Sequence, residues 1–214
     1  MFDDTNYLAG IKRMKQAGVR LDKGVIIYVD PYGALQEVHD ADYIFITHSH
    51  HDHYSPEDIT KVMAEHTAFV STADVAAKLT EEFGAVKIKI VEPGDILSLG
   101  SLCVEVLPSY NIGKPFHPKE QGWVGYIIRC DDGSYYFPGD LDAIQEFIDA
   151  DSDVFFVPIG GKYTMDPKEA ADAVNKSNAK LAIPFHFGDL DGVGTRDDGA
   201  LFISMLEDAK GVEL

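Results

Sequence analysis

Cysteine, tryptophan and basic charge are all scarce in this chain. Of its 214 residues, two are cysteine and one is tryptophan, and 18 Lys and Arg stand against 36 Asp and Glu. Two cysteines cannot build a disulfide framework, and neither has the neighbours of a zinc knuckle. Cys103 and Cys130 lie in strand-like runs and read as small buried apolar residues. A formal charge of −18 repels nucleic acid and anionic lipid, so neither is expected as a partner. A small anionic substrate stays compatible with it, because bound cations reverse the sign locally. No apolar run approaches the ~18 residues of a membrane span. Residues 1–6 lack the basic and apolar regions of a signal peptide, which makes a cytoplasmic location the default expectation. Internal repeats and low-complexity tracts are also missing. The length suits one domain over residues 1–214.

What is present alternates between helix and strand signals. Residues 5–17 read as a helix with Leu8, Ile11 and Met14 on one face, followed by a strand-turn-strand over 18–29 and a strand at 43–47. Ser55-Pro56-Glu57-Asp58 opens a helix expected to reach about Glu65. A strand at 67–71 and a helix at 73–83 follow. Strands at 86–91, 102–107, 123–130 and 134–138 come without helices between them. A helix at 141–148, a strand at 153–157, a helix from Asp166-Pro167, a strand at 180–184 and a helix at about 198–209 complete the chain. Alternation at both ends around consecutive strands in the middle fits an α/β class, specifically a four-layer αββα sandwich.

One segment dominates the functional reading. Residues 48–53 are His-Ser-His-His-Asp-His, placed on a loop just after an apolar strand, where a rigid scaffold can hold ligands. Imidazole is the commonest neutral metal ligand. In extended chain, residues two apart share a face, so His48 and His50 can bind one ion. His53 breaks that parity, so the chain must turn, which brings Asp52 and His53 together towards a second ion. Four groups at this spacing suit a pair of ions about 3.5–4 Å apart. Further ligands are expected from His117, in Pro115-Phe116-His117-Pro118; from Asp140, after Gly139; and from His186, just past the strand at 180–184. His51 opposes the parity of its neighbours and is not read as a ligand, and His39 and His66 read as surface residues. Asp30, after the strand at 25–29, can accept a hydrogen bond from a ligand histidine.

The ordered set His48-x-His50-x-Asp52-His53, His117, Gly139-Asp140 and His186 resembles the metallo-β-lactamase-fold hydrolase superfamily. The runs Pro108-Ser109-Tyr110-Asn111, Phe116-His117-Pro118, residues 158–165 and Ile183-Pro184-Phe185-His186-Phe187 resemble its L-ascorbate-6-phosphate lactonase-like branch. The resemblance covers roughly residues 19–190. It implies an αββα fold with two divalent ions, one held by His48, His50 and His117, the other by Asp52, His53 and His186, with Asp140 bridging. Two departures stand out. A helix takes the place of the family's opening strand with its Gly-His pair, and Gly139-Asp140-Leu141 lacks the usual threonine hydroxyl.

The implied activity is metal-dependent hydrolysis of a small-molecule ester, lactone or phosphoester by a hydroxide shared between the ions, with Asp52 and Asp140 as the catalytic carboxylates. Zinc leads as the metal, with manganese or iron also suited to His/Asp ligation. Lys162, Tyr163 and Arg196 are candidates for holding an anionic substrate. Acidic subunits of this size often associate, so a homo-oligomer is a candidate state. The competing readings are a nuclease or phosphodiesterase of the same fold, a non-hydrolytic iron oxidoreductase, and a metal-binding protein without turnover.

Overall fold

The computed structural model describes residues 5–214; the opening Met1–Asp4, part of the segment read for a signal peptide, lies outside them. The chain forms two compact units, residues 8–92 and residues 5–7 with 93–214.

In chain order the elements of the first unit follow a single turn, α1 (Thr5–Leu8). They are β1 (Ile11–Arg13), β2 (Val19–Asp22), β3 (Ile26–Val29), β4 (Ala41–Ile46), α2 (Pro56–Val62), β5 (Met63–Ser71), α3 (Ala73–Phe83) and β6 (Lys87–Ile90). The strands make one sheet in sequence order, antiparallel from β1 to β3 and parallel from β3 to β6. Val75 and Ala76, with Leu79 four and three residues on, form the buried stripe of α3, and Gly84 ends that helix at φ 72°. Val75 and Leu79, with Ile59 and Val62 of α2, pack on Tyr28, Ile44, Ile46 and Phe69.

The second unit contains β7 (Ile96–Leu99), β8 (Leu102–Pro108), β9 (Val124–Cys130), β10 (Gly133–Phe137), α4 (Gln145–Ile148), β11 (Val154–Pro158), α5 (Pro167–Val174), β12 (Leu181–Phe185), α6 (Asp198–Ser204) and β13 (Lys210–Gly211). Its seven strands are antiparallel from β7 to β10 and parallel from β10 to β13. The central β11 and β12 are buried at every position, which is why Val-Phe-Phe-Val and Leu-Ala-Ile read as unbroken apolar runs. A capping box starts α5, with Asp166 and Glu169 exchanging hydrogen bonds with each other's backbone N–H.

Several expectations are corrected. The helix expected over 5–17 is one turn, followed by the edge strand β1. Gly10 sits at φ 78°, and a Cβ there would stand 2.3 Å from the Asp22 carbonyl oxygen; the close approach of β2 outweighs the weak apolar periodicity. A strand therefore stands there after all. The helix from Pro56 stops at Val62, because residue 63 already pairs with β4. The helix expected over 141–148 starts only at Gln145, since Asp142 is held by the Ile112 N–H and Lys114. The last helix stops at Ser204 and gives way to β13, and β7 was not anticipated. Cys103 is exposed and Cys130 half-buried, because position 103 falls on the outward parity of β8. Among the described residues no helix is long and apolar enough to cross a membrane.

Three carboxylates tie neighbouring segments together. For Asp40, Asp58 and Asp153 burial raises the pKa, but hydrogen bonds outweigh it and the net direction is downward from 3.8. The donors include Arg20 for Asp40, the Gly33 N–H for Asp58 and Lys180 for Asp153. The folded chain thus releases these protons at a lower pH than the unfolded chain. Their stabilisation is complete above the unfolded value and is lost as pH falls through the folded values. Asp58→Asn is expected to lower Tm most near neutral pH, with the gap to the parent closing below about pH 4. Melting curves of metal-free protein from pH 7 to pH 2.5 check this, and a gap that stays constant would refute it.

Candidate metal centre

The histidine loop leaves β4 at Ile46. Its turn is closed by the N–H groups of His53 and Tyr54, both donating to the His50 carbonyl. His48 and His53 are buried, His50 half-buried and His51 exposed. His48 Nε2 lies 3.1 Å from His50 Nδ1, and the rings of His48 and His53 are 3.9 Å apart. His53 Nε2 lies 3.9 Å from Asp52 Oδ2.

Beneath this loop sits Asp30, 1 % exposed. Its Oδ1 accepts the Thr47 N–H at 2.8 Å, and its Oδ2 accepts the Thr47 hydroxyl at 2.7 Å and faces His53 Nδ1 at 2.8 Å. The Thr47 hydroxyl is in turn 3.0 Å from His48 Nδ1. Both histidines are thus engaged through Nδ1 by oxygen, an arrangement that leaves Nε2 to ligate. Register explains why these groups meet. Strands β3 and β4 are parallel with Val29 opposite Phe45, so residues 30 and 47 leave the same end of the sheet.

The other unit builds its own cluster at the corresponding end. Strands β10, β11 and β12 are parallel neighbours, and Asp140 and His186 follow β10 and β12. His117 is carried in by the loop after β8. All three are buried. His117 Nε2 and His186 Nε2 approach the same atom, Asp140 Oδ2, at 3.4 and 3.3 Å. Both distances match two ligands of one ion: bonds of about 2.0–2.1 Å at tetrahedral angles set ligand atoms about 3.3–3.4 Å apart. The donor set therefore fits divalent transition metal. Asp140 is no helix N-cap, since α4 begins five residues later.

The surroundings hold this cluster firmly. Ser109 Oγ donates to the Asp140 carbonyl at 3.0 Å. Asn111 Nδ2 donates to the Tyr163 carbonyl at 2.7 Å and lies 3.3 Å from His117 Nδ1. Lys114 donates to Asp142 and to the Thr164 carbonyl, which clamps the His117 loop to the segments after β10 and β11. Gly160 is required for close approach, because a Cβ there would stand 2.6 Å from the His186 carbonyl oxygen. The three substrate candidates fall in this unit. Lys162 is exposed with Nζ 4.8 Å from the centre of the Tyr163 ring, Tyr163 packs edge-on to Phe116 at 4.7 Å, and exposed Arg196 rests its backbone on Gly188.

Backbone strain marks the same places. Among the described residues the non-glycine positions with positive φ are Gln16, Asp30, His39, His117 and His186. Four of these five belong to the two clusters or touch them, as expected where surrounding structure enforces a costly conformation for function. The candidate metal ligands are His48, His50, Asp52 and His53 in one unit and His117, Asp140 and His186 in the other. Sequence reading missed Gln16, Thr47, Asn111, Lys114 and Asp142. A hydroxyl directly before His48 and an asparagine in the Ser109-Tyr110-Asn111 run were the only local signals.

Comparison with known proteins defines the class. Residues 17–186 match the family model described as beta-lactamase superfamily domain, and the chain belongs to that superfamily. Within it, the chain is 30% identical over 175 residues to a UPF0173 protein of Pyrococcus furiosus, covering 78% of this chain and 77% of the relative. It is 32% identical over 167 residues to the UPF0173 metal-dependent hydrolase of Aeropyrum pernix, covering 72% and 68%. It therefore belongs to the UPF0173 metal-dependent hydrolases. A crystal structure of a Parabacteroides distasonis protein superimposes with a TM-score of 0.80 at 27% identity, over 95% of this chain and 91% of that one. Two mixed sheets with few helices are the α/β architecture of this metallo-β-lactamase fold.

Proposed function

We propose that the chain hydrolyses a small-molecule ester, lactone or phosphoester with a dinuclear metal centre. The observation that supports this reading is the pair of Nε2 atoms 3.3 and 3.4 Å from one oxygen of Asp140, a spacing that fits side chains ligating metal. In this reading, as the family resemblance implies, His48, His50 and His117 would hold one ion, and Asp52, His53 and His186 the other. When bound, the ions would supply Lewis acidity and a hydroxide-level nucleophile at neutral pH.

The chain's own residues account for the rest. Asp30 and Thr47 keep Nδ1 of His53 and His48 engaged, so these imidazoles present Nε2. Asp52 accepts the proton released on attack and returns it to the leaving group. Asp52 and Asp140 contribute two negative charges against four positive, so the centre stays electrophilic. Lys162, Tyr163 and Arg196 orient an anionic substrate. The acidic surface speaks for a small substrate over a nucleic acid, and the lactone specificity of the ascorbate-phosphate branch is one member of this substrate class.

A panel of lactones, phosphomonoesters, phosphodiesters and thioesters, run on protein reloaded with Zn²⁺ or Mn²⁺, tests the proposal. Hydrolysis is expected to vanish on chelation and to return with metal. Undiminished hydrolysis by verified metal-free protein would end this reading.

A further inference from the structure

Gln16 occupies an unusual position for its side chain. It lies in the turn between β1 and β2, closed by Met14 N–H to the Gly18 carbonyl and Gly18 N–H to the Lys15 carbonyl. Turn tips ordinarily face water, yet Gln16 is 0 % exposed. Its φ is 51°, a left-handed conformation that glycine or asparagine fills at lower cost. Burying a primary amide is unfavourable unless it is hydrogen-bonded. One of its contacts is a hydrogen bond from Nε2 to Asp52 Oδ2 at 3.3 Å, across 36 residues of sequence. That oxygen is the one that lies 3.9 Å from His53 Nε2.

We infer that Gln16 is a positioning residue, which fixes the rotation of the Asp52 carboxylate so that Oδ2 and His53 Nε2 face one metal ion. A carboxylate turns easily about its terminal bond. A donor from a rigid, buried turn removes that freedom. Being neutral, the amide does this without bringing a charge to the site. The inference rests on the proposed metal centre and assigns a role to a turn that the ligand set does not include.

The test measures metal binding in the full-length protein. Gln16→Leu, Asp52→Ala and the parent are stripped and titrated with Zn²⁺ against a chromogenic chelator, and bound metal is counted by mass spectrometry. Melting of the metal-free forms serves as the folding control. Gln16→Leu is expected to weaken one of two Zn²⁺ affinities by about 10- to 100-fold, and Asp52→Ala to abolish that same affinity. If Asp52→Ala loses the ion while Gln16→Leu binds within twofold of the parent, the inference fails and the metal centre stands. If Asp52→Ala binds both ions as the parent does, the metal centre itself is wrong and the inference falls with it. Gln16→Met, which keeps the chain length, replaces Gln16→Leu should the latter not fold. Failure of both to fold would make the residue structural and overturn the inference.

Discussion

Asp140→Ala is expected to cut hydrolysis by at least about 1,000-fold, the equivalent of losing about 4 kcal/mol of charge stabilisation in the transition state. Metal content should fall from about two ions per chain to one or fewer. The reason is that two imidazoles aim at a single Asp140 oxygen, so its removal deprives both proposed ion sites of a shared ligand. The fold should survive. Asp140 is anchored through its backbone carbonyl, which accepts from Ser109, and alanine retains that bond. Elemental analysis beside far-ultraviolet circular dichroism checks both halves. A folded variant that keeps two ions and full turnover would remove Asp140 from the centre.

Asp30 offers the second large effect, although it is not among the proposed ligands. Its carboxylate serves the Thr47 N–H, the Thr47 hydroxyl and His53 Nδ1. Asp30→Ala strands these buried groups, each at about 1–3 kcal/mol, and also places alanine at φ 45°. A stability loss of about 3 kcal/mol or more is expected. Asp30→Asn separates this from the site effect, because asparagine tolerates left-handed backbone and keeps the shape of the side chain. It should fold with a smaller loss, yet bind Zn²⁺ about 10- to 100-fold more weakly, since the amide no longer holds the imidazole tautomer as a carboxylate does. Denaturant unfolding and chelator competition give the two numbers separately. Unchanged affinity in Asp30→Asn would mean that its hydrogen bonds serve packing alone.

Much of this was legible beforehand, for physical reasons that differ by element. The loop 48–53 announces itself because parity and one turn decide which of its side chains share a face, and both are local properties. The Pro56 and Pro167 helix starts, the α3 stripe and the apolar runs of β11 and β12 are local in the same sense. Residues 5–17 misled because the apolar spacing of Leu8, Ile11 and Met14 counts neither the left-handed Gly10 nor the approach of Asp22. Cys103 misled because one residue of register decides which face of β8 it takes.

The sequence by itself determined the family, the residue types of the candidate ligands and the strand ends that carry them, since spacing and residue type are enough for each. Only the tertiary structure decided which groups hold those candidate side chains still. Asp30 meets Thr47 because β3 and β4 run parallel in register, and Gln16 meets Asp52 because a strand turn stands where a helix was expected. Such contacts span 17 and 36 residues. Sheet order and register create them, and no short window of sequence contains either.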